Sequence, residues 1–469
     1  MLKRVLVANR GEIAVRAIRA LKEMGLESVA VFSDVDKNAL HTILADYSYA
    51  LNGNRSMDTY SNIEKILYIA KVSGADAIYP GYGFLSERAK FAEAVEAAGL
   101  TFIGPKSSII ELMGDKIRAR QLMLSIGVPV VRGSNTAIKS YEEAQQITDI
   151  IGYPVLIKPS AGGGGMGMKV AYNADELKVN LENVQKQARV LFNDDSVFVE
   201  KYLEHPRHIE VQVVGDHYGN FIHLGERECS IQRRHQKMVE EAPSMVLTPE
   251  LREKMGSMAV SIADSVKYNS VGTVEFIYEN GEFYFLEMNT RVQVEHTITE
   301  MITGVDIVKL QIAIAAGQPL PYRQEDIRFS GHAIECRICA EDPLNKFMPS
   351  PGQIMTYICP GGFGVRLDSG VCAGYEISTN YDSMLSKLIT WGNNRDEAIA
   401  RMHRALEEYV MTGPKTTIPL LWAIMDDKDF KSNEINTKFI EEHPGLFDSA
   451  KSFNENMEKS KRIIIDGLE

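Results

Sequence analysis

Cysteine is scarce. The 469 residues include five (Cys229, Cys336, Cys339, Cys359 and Cys372), an odd number and too few for a disulfide framework. One C-x-x-C pair joins Cys336 to Cys339, but it lies in "GHAIECRIC", where strand alternation sends residues three apart to opposite faces. With no second pair, a zinc or redox motif is excluded. Basic charge is also short: 51 Lys and Arg stand against 63 Asp and Glu, a net charge of −12. Such a field disfavours nucleic acid and anionic membrane surfaces. No apolar run approaches the roughly 18 residues that cross a bilayer, and "MLKRVLVANRG" lacks the features of a targeting segment. The expectation is a reduced, soluble, cytoplasmic protein. Neither a G-x-G-x-x-G turn after the first strand nor a G-K-[ST] loop is present, so dinucleotide and Walker fingerprints are missing. Internal repeats and low-complexity tracts are absent too.

What is present begins as an α/β alternation. "RVLVAN" precedes the helical "GEIAVRAIRALKEMG", then come "SVAVFS", "ADAIYPGYG", the helix "SERAKFAEAVEAAG" and "TFIGP", the pattern of a parallel sheet. Loops at the carboxyl ends of such strands share one cleft, which places "NRGE" beside "PGYGF". From residue 196 the chain turns strand-rich, with a helix over 249 to 267. A second strand-rich segment starts at 330, and a charged tail expected to fray ends the chain. At this length about two to four domains are expected.

Two stretches carry chemistry. Four consecutive glycines (Gly162, Gly163, Gly164, Gly165) sit between the strand-like "VLIK" and "MKVAY", so the tip of a hairpin is nearly bare backbone. Its N–H groups can close on phosphate oxygens, with Lys158 as a point charge at the base; a merely flexible turn is the plainer alternative. In "EMNTRVQVEH", an extended strand puts Glu287, Asn289, Arg291, Gln293 and Glu295 on one face. A solvated face is the plain reading. Glu275 lies on the preceding strand, across Asn280-Gly281. A two-residue turn there sends Glu275 and Glu287 to opposite faces, whereas a three-residue loop or an equivalent bulge pairs them. We take the paired register, which gathers hard oxygen ligands (Glu275, Glu287, Asn289) for Mg²⁺. Arg291 then suits a planar oxyanion, and Glu295 could take a proton from it. The basic run in "SIQRRHQK" is a solvated turn or a phosphate patch when taken alone.

Together these stretches resemble biotin carboxylase, of the ATP-grasp superfamily, over residues 1 to 447. The resemblance is carried by "ANRGEIA", "YPGYGFLSE", "MGDK", "SAGGGG", "EKYL", "PRHIEVQV", "SIQRRHQK", "EEAPS", "GTVEF", "EMNTRVQVEH", "TEMITGVD" and "ECRICAEDP". It implies an α/β and α+β architecture. An N-terminal open parallel domain spans 1–113, an ATP-grasp domain 114–329 includes a glycine-rich lid over about 131–203, a C-terminal mixed domain spans 330–447, and the tail is 448–469. It also implies roles. Lys116, Lys158, Gly163, Gly164, Gly165, His208, Gln232 and His235 would serve ATP phosphates and their surroundings, and Glu200, Lys201 and Leu203 the adenine. Glu275, Glu287 and Asn289 would hold Mg²⁺ or Mn²⁺. Arg291, Gln293 and Val294 would bind bicarbonate, Glu295 would be its base, and Lys237 and Arg337 would serve the carboxyphosphate and biotin steps. By strand alternation Glu335 shares a face with Arg337 and is expected to orient it.

The implied reaction is ATP- and bicarbonate-dependent carboxylation of biotin, with acetyl-CoA the first-choice final acceptor and pyruvate or propionyl-CoA the alternatives. Another ATP-grasp ligase is the rival reading. Implied partners are a biotin carboxyl carrier protein, a carboxyltransferase and a second copy of the chain. The carrier is expected to be separate, because the nearest match to a biotinylation turn, Met168-Lys169-Val170, falls in the lid hairpin. Three positions depart from the family pattern: Met166 where a basic residue is usual, Thr297 after His296, and Pro159 after Lys158.

Overall fold

The apolar strands of the first hundred residues assemble into the expected parallel sheet in a computed structural model, which describes residues 2–134, 136–159, 167–192 and 194–466. Its five strands run in the order Tyr47–Ala50, Glu27–Phe32, Arg4–Val7, Ala77–Tyr79, Thr101–Phe102, each pair parallel. Gly11, at φ +67°, turns the chain from the first strand into the helix Gly11–Glu23, a conformation that favours glycine. That helix buries Ile13, Ala14, Ala17, Ile18 and Leu21 against the sheet, the stripe its 3.6-residue period predicts.

An eight-stranded sheet follows, ordered Glu282–Asn289, Val271–Glu279, Arg207–Gly215, Phe221–Arg233, Gln236–Ala242, His332–Cys339, Met384–Gly392, Val365–Ser369. It crosses the expected boundary at 329/330 without a break, since Val239 pairs with Cys336 and Glu240 with Glu335. Alternation builds its two faces. On Arg207–Gly215, Ile209, Val211 and Val213 join a core with Met255, Ala259 and Ile262 of the helix Pro249–Ser265. The intervening Glu210 and Gln212 are buried on the other face. A buried polar face requires internal partners, and the candidate site supplies them.

The lid has a core of its own. Three strands, in the order Lys169–Ala171, Val155–Pro159, Val197–Lys201, are packed by the helices Tyr141–Ile151 and Ala174–Phe192 through Val155, Ile157, Leu177, Leu181 and Val199. The first two strands form the expected hairpin, Val155 opposite Ala171. Its glycine tip, Met166 included, lies outside the described residues.

Two expectations need correction. The strand of "EMNTRVQVEH" ends at Asn289, and 290–295 is a loop leading into the helix His296–Thr303. Glu282–Asn289 is the last strand of its sheet, and the bridge on its outer side, Val130 to Phe285, stops short of its end. The tail does not fray at 448: Gly445–Asp466 is helical, with Leu446, Ala450 and Phe453 buried and Phe453 stacked on Trp422 at 4.9 Å.

Candidate functional site

Asn280 and Gly281, at φ +53° and +83°, make a two-residue turn, yet Glu275 still faces Glu287. The register holds from Glu279–Glu282 to Phe276–Phe285, then slips by one residue, leaving Leu286 exposed. The bulge therefore does what a longer loop would have done. Burial and the nearby Glu275 both push the Glu287 carboxyl up, the signature of two acids sharing space that a cation would relieve. Asn289 Nδ2 donates to Glu275 Oε1 at 3.0 Å, and His208 Nε2 lies 3.0 Å from Glu275 Oε2. The chemistry of this donor set fits a divalent cation.

The loop 290–295 converges on the same carboxylates by curvature rather than by period. Gln293 Nε2 donates to Glu275 Oε1 at 2.6 Å, while Arg291 donates to Asn289 Oδ1 at 2.6 Å and to Glu87 at 2.8 Å. Glu87 also accepts from the Thr290 amide, so the "YPGYGFLSE" motif of the parallel sheet ties down the start of the loop. Glu295 lies between Lys237 Nζ at 2.6 Å and Arg337 at 3.1 Å. Burial alone would raise its carboxyl, but Lys237, Arg337 and Arg227 outweigh it and hold the group well below the usual range. Lys237 also reaches Glu210 at 2.5 Å and Glu275 at 3.0 Å, and these acids raise its amine well above normal despite burial.

Beneath them lies a residue that no motif in the chain singles out. Arg227 is fully buried and donates to Glu210 (2.6 Å), Gln212 (2.7 Å), Gln293 (2.7 Å), Thr273 (3.0 Å) and Thr299 (3.1 Å). A guanidinium with its donors so engaged is the rigid floor of the site. The readable signal was the polar period in "RHIEVQV", which places Glu210 and Gln212 beside His208.

Glu335 does not orient Arg337. It accepts a hydrogen bond from Thr297, while Glu240 takes Arg337 Nε at 2.6 Å. Glu240 and Glu335 are register partners on one buried face; burial raises both, Glu240 to about 7.

Among the residues expected to meet the nucleotide, Lys158 pairs with Glu200 at 2.5 Å, and Lys201 Nζ donates to the Tyr153 carbonyl at 2.7 Å. Leu203 follows on the turn after Val197–Lys201, half-buried, and Lys116 opens the helix Lys116–Ser125 on the surface. Gln232 is buried opposite Lys237, whereas His235 is exposed at the turn of that hairpin. Val294 is placed by its carbonyl, which accepts from Lys387 at 2.7 Å. Gly163, Gly164 and Gly165 fall among the residues not described.

A carboxylate-lined antiparallel sheet under a separately packed hairpin lid, beside a parallel domain, defines an ATP-grasp ligase architecture. Family models agree: the biotin carboxylase N-terminal domain matches residues 1–110, the carbamoyl-phosphate synthase L chain ATP binding domain 115–323, and the biotin carboxylase C-terminal domain 335–442. The chain is 53% identical to biotin carboxylase 1 of Bacillus subtilis, over 94% of this chain and 98% of that one. It is 54% identical to a pyruvate carboxylase subunit of Methanothermobacter thermautotrophicus, over 99% and 95%. Among solved structures, the biotin carboxylase domain dimer of Hydrogenobacter thermophilus 2-oxoglutarate carboxylase, in complex with MgADP and bicarbonate, superposes with a TM-score of 0.90 at 54% identity, over 95% of this chain and 99% of that one. The chain belongs to the biotin carboxylase family.

Proposed function

We propose that the chain carboxylates biotin borne on a biotin carboxyl carrier protein, using ATP and bicarbonate. The observation that carries this reading is the Glu295 carboxylate, kept ionised between Lys237 and Arg337 and beside the Arg291 and Gln293 side chains that reach the Glu275 cluster. An ionised carboxylate in that place takes the proton of a bicarbonate held by Arg291, Gln293 and the Val294 N–H. The freed oxyanion attacks the γ-phosphate, giving carboxyphosphate and ADP. Lys158, Lys116, His208, Gln232, His235 and the glycine tip attend the phosphates, and Glu200, Lys201 and Leu203 the adenine. Glu275, Glu287 and Asn289 would hold Mg²⁺ or Mn²⁺, which when bound neutralises phosphate charge. Carboxyphosphate then splits into CO₂ and phosphate, the departing phosphate, held by Lys237, takes the ureido N–H proton, and the nitrogen of the biotin enolate that Arg337 stabilises attacks CO₂.

A carboxyltransferase would consume the product, and the dimeric Hydrogenobacter relative supports a homodimer. Acetyl-CoA, the acceptor expected above, gains no support from these names: the relatives that name an acceptor name pyruvate and 2-oxoglutarate, at 54% and 55% identity, and a biotin carboxylase at 53% names none. The test is ADP release from MgATP with bicarbonate and free biotin each omitted in turn. Release that ignores bicarbonate would reject the reading.

A further inference from the structure

The motif "ANRGEIA" and the strand Met384–Gly392 have no part in the chemistry above, yet the fold buries a charged residue from each beside the loop 290–295. Lys387 is fully buried; its Nζ donates to the Val294 carbonyl at 2.7 Å and lies 3.3 Å from Glu12 Oε1. Glu12, also buried, accepts the Tyr82 hydroxyl of "YPGYGF". A buried ion pair is a poor source of stability compared with apolar packing, so its presence calls for a use other than glue. The loop supplies one. It has left the sheet, so its peptides need other partners. The Gln293 carbonyl meets His296 Nδ1 at 2.7 Å, which fixes the peptide before Val294. Lys387 holds the peptide after it, the one that leads into Glu295.

We propose that Lys387 is a positioning residue: anchored by Glu12, it fixes the Val294–Glu295 peptide and thereby aims the bicarbonate contacts of this loop. The inference rests on the bicarbonate reading above and gives it a support drawn from the N-terminal helix and the C-terminal strand together. The phosphate and adenine contacts proposed above lie on other elements, so the effect falls on bicarbonate ahead of MgATP.

The test compares Lys387→Gln, which keeps an N–H donor, with Lys387→Met and with the double variant Glu12→Gln/Lys387→Met, which removes both charges of the pair. Biotin-independent ADP release is measured against bicarbonate and against MgATP. Wild type must first show bicarbonate dependence, and its absence would overturn the function reading itself. The expected result is a bicarbonate KM raised about tenfold or more in Lys387→Met and in the double variant, less in Lys387→Gln, with the MgATP KM within about twofold. An unchanged bicarbonate KM, both constants rising together, or a double variant that does not fold would overturn the assignment.

Discussion

Arg337 has two acidic partners with different consequences. Its contact with Glu295 joins it to the proposed base, and its contact with Glu240 holds the guanidinium from behind. If Arg337 stabilises the biotin enolate, Arg337→Ala removes an interaction made chiefly in the transition state, an effect of about 3 kcal/mol. Bicarbonate-dependent ADP release without biotin should then stay near its normal rate, while biotin carboxylation falls by roughly a hundredfold. Equal loss of both activities would make the residue structural. Glu240 offers a pH test. Its carboxyl is raised to about 7 by burial, against an ordinary carboxyl, so the folded state holds a proton that the unfolded chain releases. The associated stability is fully present below about pH 4 and is lost as pH rises through about 7. Thermal melts of Glu240→Gln should show a shallower fall in Tm between about pH 5 and 8 than wild type; parallel curves would contradict the assignment.

At the scale of elements, the strand pair Val271–Glu279 and Glu282–Asn289 brings the proposed metal donors together by a turn and a bulge. If they share one site, Glu275→Gln and Glu287→Gln should each weaken use of Mg²⁺, and their effects should not add. Additive losses in a double-mutant cycle of activity against Mg²⁺ concentration would separate them. Alternation and the Asn-Gly turn alone would send these acids to opposite faces, so the residues were legible and the bulge that pairs them was not. The loop beyond Asn289 was legible in its residues but not its shape, since nothing local says where the pairing of the strand ends. Glu240 stands in the quoted "EEAPS", but its role was not legible: it meets Arg337 across 97 residues of chain, through a strand pairing that only the folded sheet specifies. Arg227 stayed hidden for the same reason, its partners being drawn from four separate stretches of chain.

For the whole molecule, the eight-stranded sheet makes the segments on either side of residue 330 one structural body. A chain cut there would leave Gln236–Ala242 as a bare, buried-face edge, so fragment 1–329 expressed alone should aggregate, and a soluble monomer with native circular dichroism would refute this. The lid differs, because its apolar residues pack on one another, and Arg120, 3.4 Å from Glu200, ties it to the helix Lys116–Ser125. Native-state amide exchange should find the lid strands opening at lower free energy than Arg207–Gly215. The separate core of the lid would also leave a mark in heredity. A growth-based screen of random variants should recover lid-core substitutions as present but sluggish enzymes, and sheet-core substitutions as missing protein, so that immunoblots of the failures sort the two regions without any structure in view.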